Sequence, residues 1–324
     1  MFSIYKKEEN GFEKFILKDN DSNTSAVILP ACGAILHSFE TIYNGDRINV
    51  IDSYSTADDF KENVETKGFL GTKLSPFVCR LKYGAYHFGE KKYTFEKFYL
   101  GKNALHGILY NKPFKVTGQT SNELHASLTM KYEYRAEDGG FPFNYDCIVT
   151  WQLENDNKLS VTTECINKDE GLIPIQDGWH PYFNLGDSVD ELQLEFQSKE
   201  MVEFNSELLP TQNLIPYAEF NSLKKIGTIF LDNCFTLNME ACQPLCVLRN
   251  PSKKIEIEIH PEKSYPYLQI YIPPDRKSIA IENLSGAPDA FNNGMGVITL
   301  EPGESTLFKT TYKIKLLLQV HTFI

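Results

Sequence analysis

The sequence predicts a large all-β fold, an antiparallel β-sandwich, and three observations support this prediction. Apolar and polar residues alternate with a period of two along much of the chain, turn-forming residues separate the alternating runs, and helical patterns are scarce. Many short strands without intervening helices favour two packed sheets. The 22 Phe and 17 Tyr residues agree with a strand-rich protein.

Four segments show the alternation most clearly: 145–151, 159–165, 192–196 and 255–259. In each of them apolar side chains occupy every second position, as expected for strands with one buried face in an antiparallel sheet. The sequence Asn-Asp-Asn-Lys at 155–158 separates the first two segments and predicts a hairpin.

One helix and one ambiguous segment complete the secondary-structure prediction. Residues 56–63 have the pattern of a short helix with Thr56 as its N-cap. The apolar tail, 315–324, fits either a last strand or a docked chain end. No linker-like change in composition and no repeat interrupts the chain, so we predict that residues 1–324 form one domain.

Composition excludes several classes of partner. The net charge is −11 and the basic residues are dispersed, which argues against nucleic-acid binding. The seven cysteines have no framework spacing, and Cys242 and Cys246 lack a histidine partner, so we predict free thiols and no metal site there. The chain shows neither a signal core at its start nor a membrane-length apolar run, and we expect a cytoplasmic protein without a membrane partner.

The segment 177–185, Asp-Gly-Trp-His-Pro-Tyr-Phe-Asn-Leu, contains the main candidate for acid–base chemistry. His180 has the side chain that exchanges protons near neutral pH. The rings of Trp179 and Tyr182 beside it would suit the apolar C–H face of a sugar. The alternative is a structural histidine in a buried aromatic cluster.

Three further polar residues interrupt apolar surroundings. Arg80 lies in an apolar run and must meet either an ion-pair partner or a ligand. His106 precedes Gly107, which permits close backbone approach, although a plain turn histidine is the alternative. Asp232 lies in an apolar and aromatic frame, where a turn aspartate bonded to its own backbone is the alternative.

Glu282 and Gln269 complete the set of candidates. Glu282 ends an apolar strand ahead of a loop rich in Asn, Gly and Pro, where its carboxylate is either a base with a raised pKa or an exposed strand-end group. Gln269 shares a strand face with Tyr267 and Tyr271, a face suited either to sugar hydroxyls or to solvent.

The order and character of these segments resemble the aldose 1-epimerase (galactose mutarotase) family. The resemblance covers residues from about 30 to 313, and its most specific parts are His-Pro-Tyr-Phe-Asn-Leu at 180–185 and Ala-Pro-Asp-Ala-Phe-Asn-Asn at 287–293. It implies the galactose mutarotase-like supersandwich, with a monosaccharide held in a cleft across one sheet. No metal or other cofactor is implied.

The resemblance also implies roles for individual residues. Glu282 would match the base that takes the proton of the anomeric hydroxyl, and His180 the acid that protonates the ring oxygen. The groups that would hold the sugar are Arg80, His106, Asp232 and Gln269. Two departures bear on sugar preference: Cys79 and Trp179 stand where many members have Asn and a second His.

The predicted reaction is the interconversion of α and β anomers of a free aldohexose, such as galactose or glucose, by a monomer or homodimer. Three alternatives stay open. A hexose-6-phosphate mutarotase would need more basic residues in the cleft than Arg80. A non-catalytic carbohydrate-binding sandwich would not need the pair of Glu282 and His180. A glycoside hydrolase would pair Asp232 with Glu282 and leave the histidine without a role.

Overall fold

The protein is described here by a computed structural model of residues 1–96 and 98–317. The all-β prediction is confirmed, because strands dominate these residues. The helices are α1, Ala57–Asn63, and α2, Ala290–Asn293. Three short 3₁₀ turns occur at Pro30–Cys32, Lys82–Gly84 and Val189–Glu191.

The strands of the described residues follow one another with short connections. In chain order they are β1 Phe2–Glu9, β2 Phe12–Asp19, β3 Ser25–Leu29, β4 Ile35–Tyr43, β5 Asp46–Asn49, β6 Ile51–Asp52, β7 Lys73–Leu74, β8 Arg80–Leu81, β9 Ala85–Phe88, β10 Lys91–Thr94, β11 Tyr99–Leu100, β12 Asn103–Leu105, β13 Lys115–Ser121, β14 His125–Arg135, β15 Asn144–Glu154, β16 Lys158–Asn167, β17 Ile173–Ile175, β18 Gly178–Trp179, β19 Tyr182–Phe183, β20 Gln193–Phe196, β21 Ser198–Phe204, β22 Pro210–Pro216, β23 Lys224–Lys225, β24 Asp232–Leu237, β25 Cys246–Asn250, β26 Ile255–Pro261, β27 Tyr267–Tyr271, β28 Ile279–Leu284, β29 Ile298–Leu300 and β30 Ser305–Leu316.

Three antiparallel sheets contain most of these strands. Sheet A has the order β1-β2-β3-β4-β5, and sheet B has the order β13-β14-β15-β16-β30-β26-β25-β20-β23. Sheet C has the order β22-β21-β24-β27-β28-β18-β7, with β19 joining β28 to β6. The smaller sheets are β10-β9, β11-β12-β8 and β17-β29.

Sheets B and C pack face to face around the main hydrophobic core, which is the sandwich predicted from the alternation. Trp151 of sheet B meets Trp179 of sheet C edge to face at 5.3 Å between ring centroids, and Phe183 meets Tyr312 at 5.7 Å. Apolar residues of sheet A, such as Leu17, belong to the same buried cluster. Burial of these large side chains stabilises the association of the sheets.

The local predictions agree with the structure. Three of the four alternating segments lie within strands, and the fourth, 192–196, lies in β20 except for its first residue. The chain turns between β15 and β16 as a hairpin. The hydroxyl of Thr56 accepts a hydrogen bond from the backbone N–H of Asp59 at 3.0 Å and caps α1 as predicted. The tail enters the last strand up to Leu316, and its residues 318–324 lie outside the described residues.

The prediction of free thiols is also confirmed. All seven cysteines are free thiols, of which Cys242 is exposed and the others are buried. Among the described residues, no helix has the length and apolar character needed to cross a membrane.

Candidate active site

The two faces of sheet C separate core residues from polar ones. In β27, Leu268 and Ile270 point into the core, whereas Gln269 and Tyr271 lie on the opposite face. Gln269 is paired in register with Glu282 of β28, so their side chains share that face. The period-two pattern therefore places an amide and a carboxyl side by side above a packed sheet.

His180 follows β18 on the same face of sheet C. Its backbone N–H donates to the carbonyl of Thr72 at 3.0 Å, which fixes the segment in the sheet. The imidazole stacks on Tyr182 at 5.0 Å between ring centroids, and its Nε2 lies 3.3 Å from Oε1 of Glu282. A histidine and a carboxyl that are about 100 residues apart in the chain are thus in direct contact.

Trp179 does not have the role that the sequence suggested for it. Its side chain is 1% exposed, packs against Trp151 in the core and lies over the ammonium group of Lys73. Alternation along the strand turns Trp179 away from the face that carries His180 and Tyr182. The prediction that Trp179 and Tyr182 both face a sugar is therefore wrong for Trp179.

Arg80 begins β8, and His106 directly follows the neighbouring strand β12, at the edge of the site. Arg80 of β8 is paired in register with Leu105 of β12, and the backbone N–H of His106 donates to the carbonyl of Cys79 at 2.9 Å. Both Cys79 and His106 have positive φ angles, 49° and 61°. Such backbone conformations are costly in non-glycine residues and cluster at functional sites.

Gly107 explains how His106 is held. A Cβ atom at this position would lie 2.2 Å from the carbonyl oxygen of Ser75, and φ is +72°. Only glycine fits such an approach. The structure therefore confirms the close backbone contact expected from the His-Gly pair.

The loop after β28 positions Arg80 without lining the cavity. The backbone N–H of Asp289 donates to the carbonyl of Arg80 at 2.8 Å, and the carboxylate of Asp289 accepts from the N–H of Lys82 at 2.9 Å. The Ala-Pro-Asp-Ala-Phe-Asn-Asn segment therefore clamps the strand that carries the arginine.

Asp232 and Gln269 form a hydrogen-bonded pair in the same site. Asp232 begins β24, and the amide of Gln269 donates to its Oδ1 at 2.9 Å. The other amide atom, Oε1 of Gln269, is buried without a hydrogen-bond partner among the described residues. A buried acceptor without a partner is available to a ligand hydroxyl.

The Arg80 guanidinium is the free cation of the site. Within the described part of the chain it forms neither a hydrogen bond nor an ion pair closer than 4 Å. Burial raises the pKa values of Asp232 and Glu282, and the positive charge of Arg80 partly offsets that rise. Five N–H donors therefore remain available to oxygen atoms of a ligand.

One cavity of about 220 Å³ gathers all six candidate residues. Its lining residues are Glu65, Thr66, Gly68, Phe69, Cys79, Arg80, Phe98, Leu100, Leu105, His106, His180, Tyr182, Asp232, Gln269, Tyr271 and Glu282. Three larger cavities among the described residues, of about 680, 400 and 250 Å³, contain neither His180 nor Glu282. Convergence of titratable groups with perturbed pKa values, rather than volume, marks the 220 Å³ cavity as the candidate active site.

Burial dominates the electrostatics of the site. It raises the pKa of Glu282 well above its ordinary range, with a smaller contribution from the charge of Asp232. It lowers the pKa of His180 to about 3 and that of His106 well below its ordinary value. At the contact between His180 and Glu282, burial therefore favours a neutral imidazole beside a carboxylic acid over an ion pair.

Part of the cavity wall consists of residues that were not predicted from the sequence. Phe69 and Phe98 contribute ring surface, and Phe69 packs edge to face on His106 at 4.7 Å between ring centroids. Glu65 and Thr66 line the cavity from the segment after α1. No pattern in the sequence distinguishes these residues from ordinary loop and core positions. Only Tyr271 carried a signal, through the strand face that it shares with Gln269.

Comparison with known proteins identifies the family of this chain. Residues 15–313 match the profile of the aldose 1-epimerase family, which extends the resemblance toward the N-terminus. YihR, an uncharacterized protein of Escherichia coli strain K12, is 24% identical over 243 residues, covering 72% of this chain and 76% of YihR. An aldose 1-epimerase of Streptococcus thermophilus is 26% identical over 204 residues, covering 54% of this chain and 58% of that enzyme.

Solved structures share the fold along nearly the whole chain. A galactose mutarotase-like protein from Clostridium acetobutylicum superposes with a TM-score of 0.85 at 18% identity, covering 98% of this chain and 99% of its own. The galactose 1-epimerase of Lactobacillus acidophilus NCFM has a TM-score of 0.80 at 20% identity, with the same coverage. The family profile spans far more than half of the sequence, and the chain therefore belongs to the aldose 1-epimerase family.

Proposed function

We propose that the protein is an aldose 1-epimerase, a mutarotase that interconverts the α and β anomers of a free aldohexose such as galactose or glucose. The observation that carries this proposal is the contact between His180 and Glu282, 3.3 Å apart on the wall of one cavity. Anomer exchange needs one proton removed from O1 and one delivered to the ring oxygen O5. Because both oxygens are bonded to C1, an adjacent base and acid reach both of them.

The reaction balances with these two groups alone. The Glu282 carboxylate takes the proton of the O1 hydroxyl while the His180 imidazolium gives its proton to O5. The C1–O5 bond breaks and the C1–O1 carbonyl forms. Rotation about C1–C2 presents the other face of C1 to the O5 hydroxyl. As the C1–O5 bond re-forms, His180 takes back the O5 proton and Glu282 returns its proton to O1.

The total charge of the pair stays constant through this cycle, because Glu282 gains a proton when His180 loses one. The neutral pair, which burial favours, is complementary to the open-chain sugar. The ion pair is complementary to the closed ring, and the nearby charge of Arg80 favours it by lowering the pKa of Glu282.

The other residues fit the holding of a sugar. Asp232 and the unpaired Oε1 of Gln269 offer acceptors for hydroxyl groups, and Arg80 offers donors. His106, edge to face with His180 at 4.9 Å between ring centroids, adds a neutral imidazole. The ring of Tyr271 offers an apolar face to C–H groups. Holding the ring in place contributes to rate by restricting its orientation.

The charges of the cavity favour an uncharged sugar over a sugar phosphate. Among the described residues that line it, Arg80 is the one lysine or arginine, whereas Glu65, Asp232 and Glu282 are acidic. A phosphate dianion would find a single cation there to attract it. This supports a free aldohexose as substrate.

Polarimetry on freshly dissolved α-glucose and α-galactose tests the proposal, after subtraction of the spontaneous rate. We expect Glu282→Gln and His180→Gln each to lower kcat by about 10²–10⁴-fold, since each removes one proton-transfer group. The double variant should lose little more, because the two groups act as a unit. Calorimetric sugar binding should persist in Glu282→Gln.

Matched controls are Glu195→Gln and His260→Gln, which change the same residue types on strands of sheet B, and both should keep the wild-type rate. A wild-type protein that binds sugar without accelerating mutarotation would instead be a carbohydrate-binding sandwich. Release of reducing sugar from oligosaccharides would favour a hydrolase, and faster turnover of glucose 6-phosphate than of glucose would favour the phosphorylated substrate.

The cytoplasmic location and the single domain over residues 1–324 stay predictions. So do the monomeric or homodimeric state and the absence of nucleic-acid and membrane partners. The free state of all seven thiols supports a reducing compartment.

A further inference from the structure

Three different metal-binding side chains converge in the candidate active site. Cys79, His106 and Glu282 each direct one donor atom to a region where all three atoms lie within 4.8 Å of one another, and all three residues are buried. The Sγ atom of Cys79 lies 3.9 Å from Oε2 of Glu282. The proposed reaction uses Glu282 as a base and gives Cys79 no role. The buried thiol is therefore a reactive group whose function the reaction does not explain.

This set of a sulfur, a nitrogen and an oxygen donor is characteristic of Zn²⁺. Zinc accepts thiolate, imidazole and carboxylate ligands, and three protein ligands with one open position form a common arrangement. The cavity beside the three residues leaves space for a water or a sugar oxygen at that fourth position. Harder cations such as Mg²⁺ prefer oxygen ligands and fit this set poorly.

The backbone holds the donors in place before any ion arrives. The N–H of His106 donates to the carbonyl of Cys79 at 2.9 Å, which ties the two positive-φ residues together. Glu282 is held within the interior of β28. Cys79 directly precedes β8 and His106 directly follows β12, and the pairing of these two strands limits the rearrangement that binding needs.

A second observation shows that the donors are poorly satisfied by the protein itself. His106 is 7% exposed, and its Nδ1 has no hydrogen-bond partner among the described residues. Glu282 receives a hydrogen bond from the weak thiol donor of Cys79 at 3.9 Å. A divalent cation would compensate a buried thiolate and carboxylate, with Asp232 adding to the attraction and Arg80 opposing it.

We propose that Cys79, His106 and Glu282 form an inhibitory site for Zn²⁺ inside the candidate active site. A bound ion occupies the carboxylate of Glu282, which then cannot accept the O1 proton. The inhibition rests on the proposed function, whereas the binding of the ion does not. This role agrees with the prediction that the reaction itself requires no metal.

Cobalt substitution tests the binding directly on the full chain. Co²⁺ added to the wild-type protein should give a thiolate-to-metal charge-transfer band and intense visible bands of a tetrahedral site, and Zn²⁺ should abolish both. Cys79→Ser should lose the charge-transfer band and bind Zn²⁺ about a hundredfold more weakly or worse. His106→Asn provides a second variant that removes a ligand and keeps the thiol, and circular dichroism checks that each variant is folded.

Cys242→Ser is the matched control, because Cys242 is exposed and lies outside the three-residue cluster. It should keep the cobalt spectrum. A charge-transfer band that survives in Cys79→Ser, or that disappears in Cys242→Ser, overturns the site, as does the absence of a spectrum in the wild type.

Activity gives an independent readout. Zn²⁺ should suppress wild-type mutarotation at least tenfold, and a chelator should restore it, while the residual rate of Cys79→Ser should be insensitive to Zn²⁺ relative to its own metal-free rate. Activity that a chelator abolishes would contradict an inhibitory ion. A cobalt spectrum in a protein without mutarotase activity would overturn the proposed function and leave the metal site standing.

Discussion

A charged pair is completely buried behind the candidate active site. The Nζ atom of Lys73 lies 2.5 Å from Oδ2 of Asp177, and both side chains are 0% exposed. Lys73 also donates to the carbonyl of Gly178 at 3.1 Å and lies 4.6 Å from the ring centroid of Trp179. Tyr265 donates to the other carboxylate oxygen of Asp177 at 2.5 Å.

We predict that Lys73→Met destabilises the protein by about 3–5 kcal/mol at pH 7, because it leaves the Asp177 carboxylate buried without its cation. Asp177→Asn should cost a similar amount, because it leaves the ammonium group uncompensated. The double variant has no buried charge and keeps most of the volume. The loss of unfolding free energy in the double variant should therefore be smaller, by at least about 4 kcal/mol, than the sum of the losses in the two single variants.

The pH dependence of Lys73→Met provides a further check. Burial raises the pKa of Asp177, and the charge of Lys73 opposes that shift, so removing Lys73 raises the pKa further. A carboxyl whose pKa is raised in the folded state binds more protons when folded, and stability then falls as pH rises. The loss in Lys73→Met should consequently be smaller at pH 5 than at pH 7.

Urea unfolding followed by circular dichroism measures these free energies, at pH 5 and pH 7. Lys263→Met is the matched control, because Lys263 faces Glu240 at 3.9 Å with both side chains more than four-fifths exposed. It should leave the unfolding free energy unchanged within error. A cost below about 1 kcal/mol for Lys73→Met at pH 7, or strict additivity in the double variant, would refute the reasoning.

Two further predictions concern single positions. Gly107→Ala should destabilise the protein by about 3 kcal/mol or more, because the added Cβ would meet the Ser75 carbonyl, and it should lower the proposed mutarotase activity by displacing His106. Gly89 also has a positive φ, +58°, but faces open space, so Gly89→Ala should lower the thermal unfolding temperature far less. Burial lowers the pKa of His37 to about 4, so the folded state binds fewer protons and stability falls as pH drops from about 6.5 toward 4. His37→Gln should remove up to about 1.4 kcal/mol of that loss per pH unit in urea unfolding, and an unchanged pH profile would contradict this.

The period-two alternation was sufficient to predict the class of fold and one strand face of the candidate site. It placed Gln269 and Tyr271 on one face of a strand and Leu268 and Ile270 on the other, because successive side chains of a strand point to opposite sides. The same rule places Trp179 and His180 on opposite faces of the sheet. The prediction that the Trp179 ring faces a sugar rested on its aromatic character alone, and it is wrong.

Local features could therefore be predicted from the residues alone: which segments form strands, where they turn, and which polar residues interrupt apolar runs. Three features needed the folded chain: the contact of His180 with Glu282, the closing of the cavity by Phe69 and Phe98, and the approach of Cys79 to His106 and Glu282. Periodicity cannot supply them, because it depends on neighbours along the chain. Strand order and register in a sheet bring together residues about 100 to 200 positions apart, and packing between sheets selects that register.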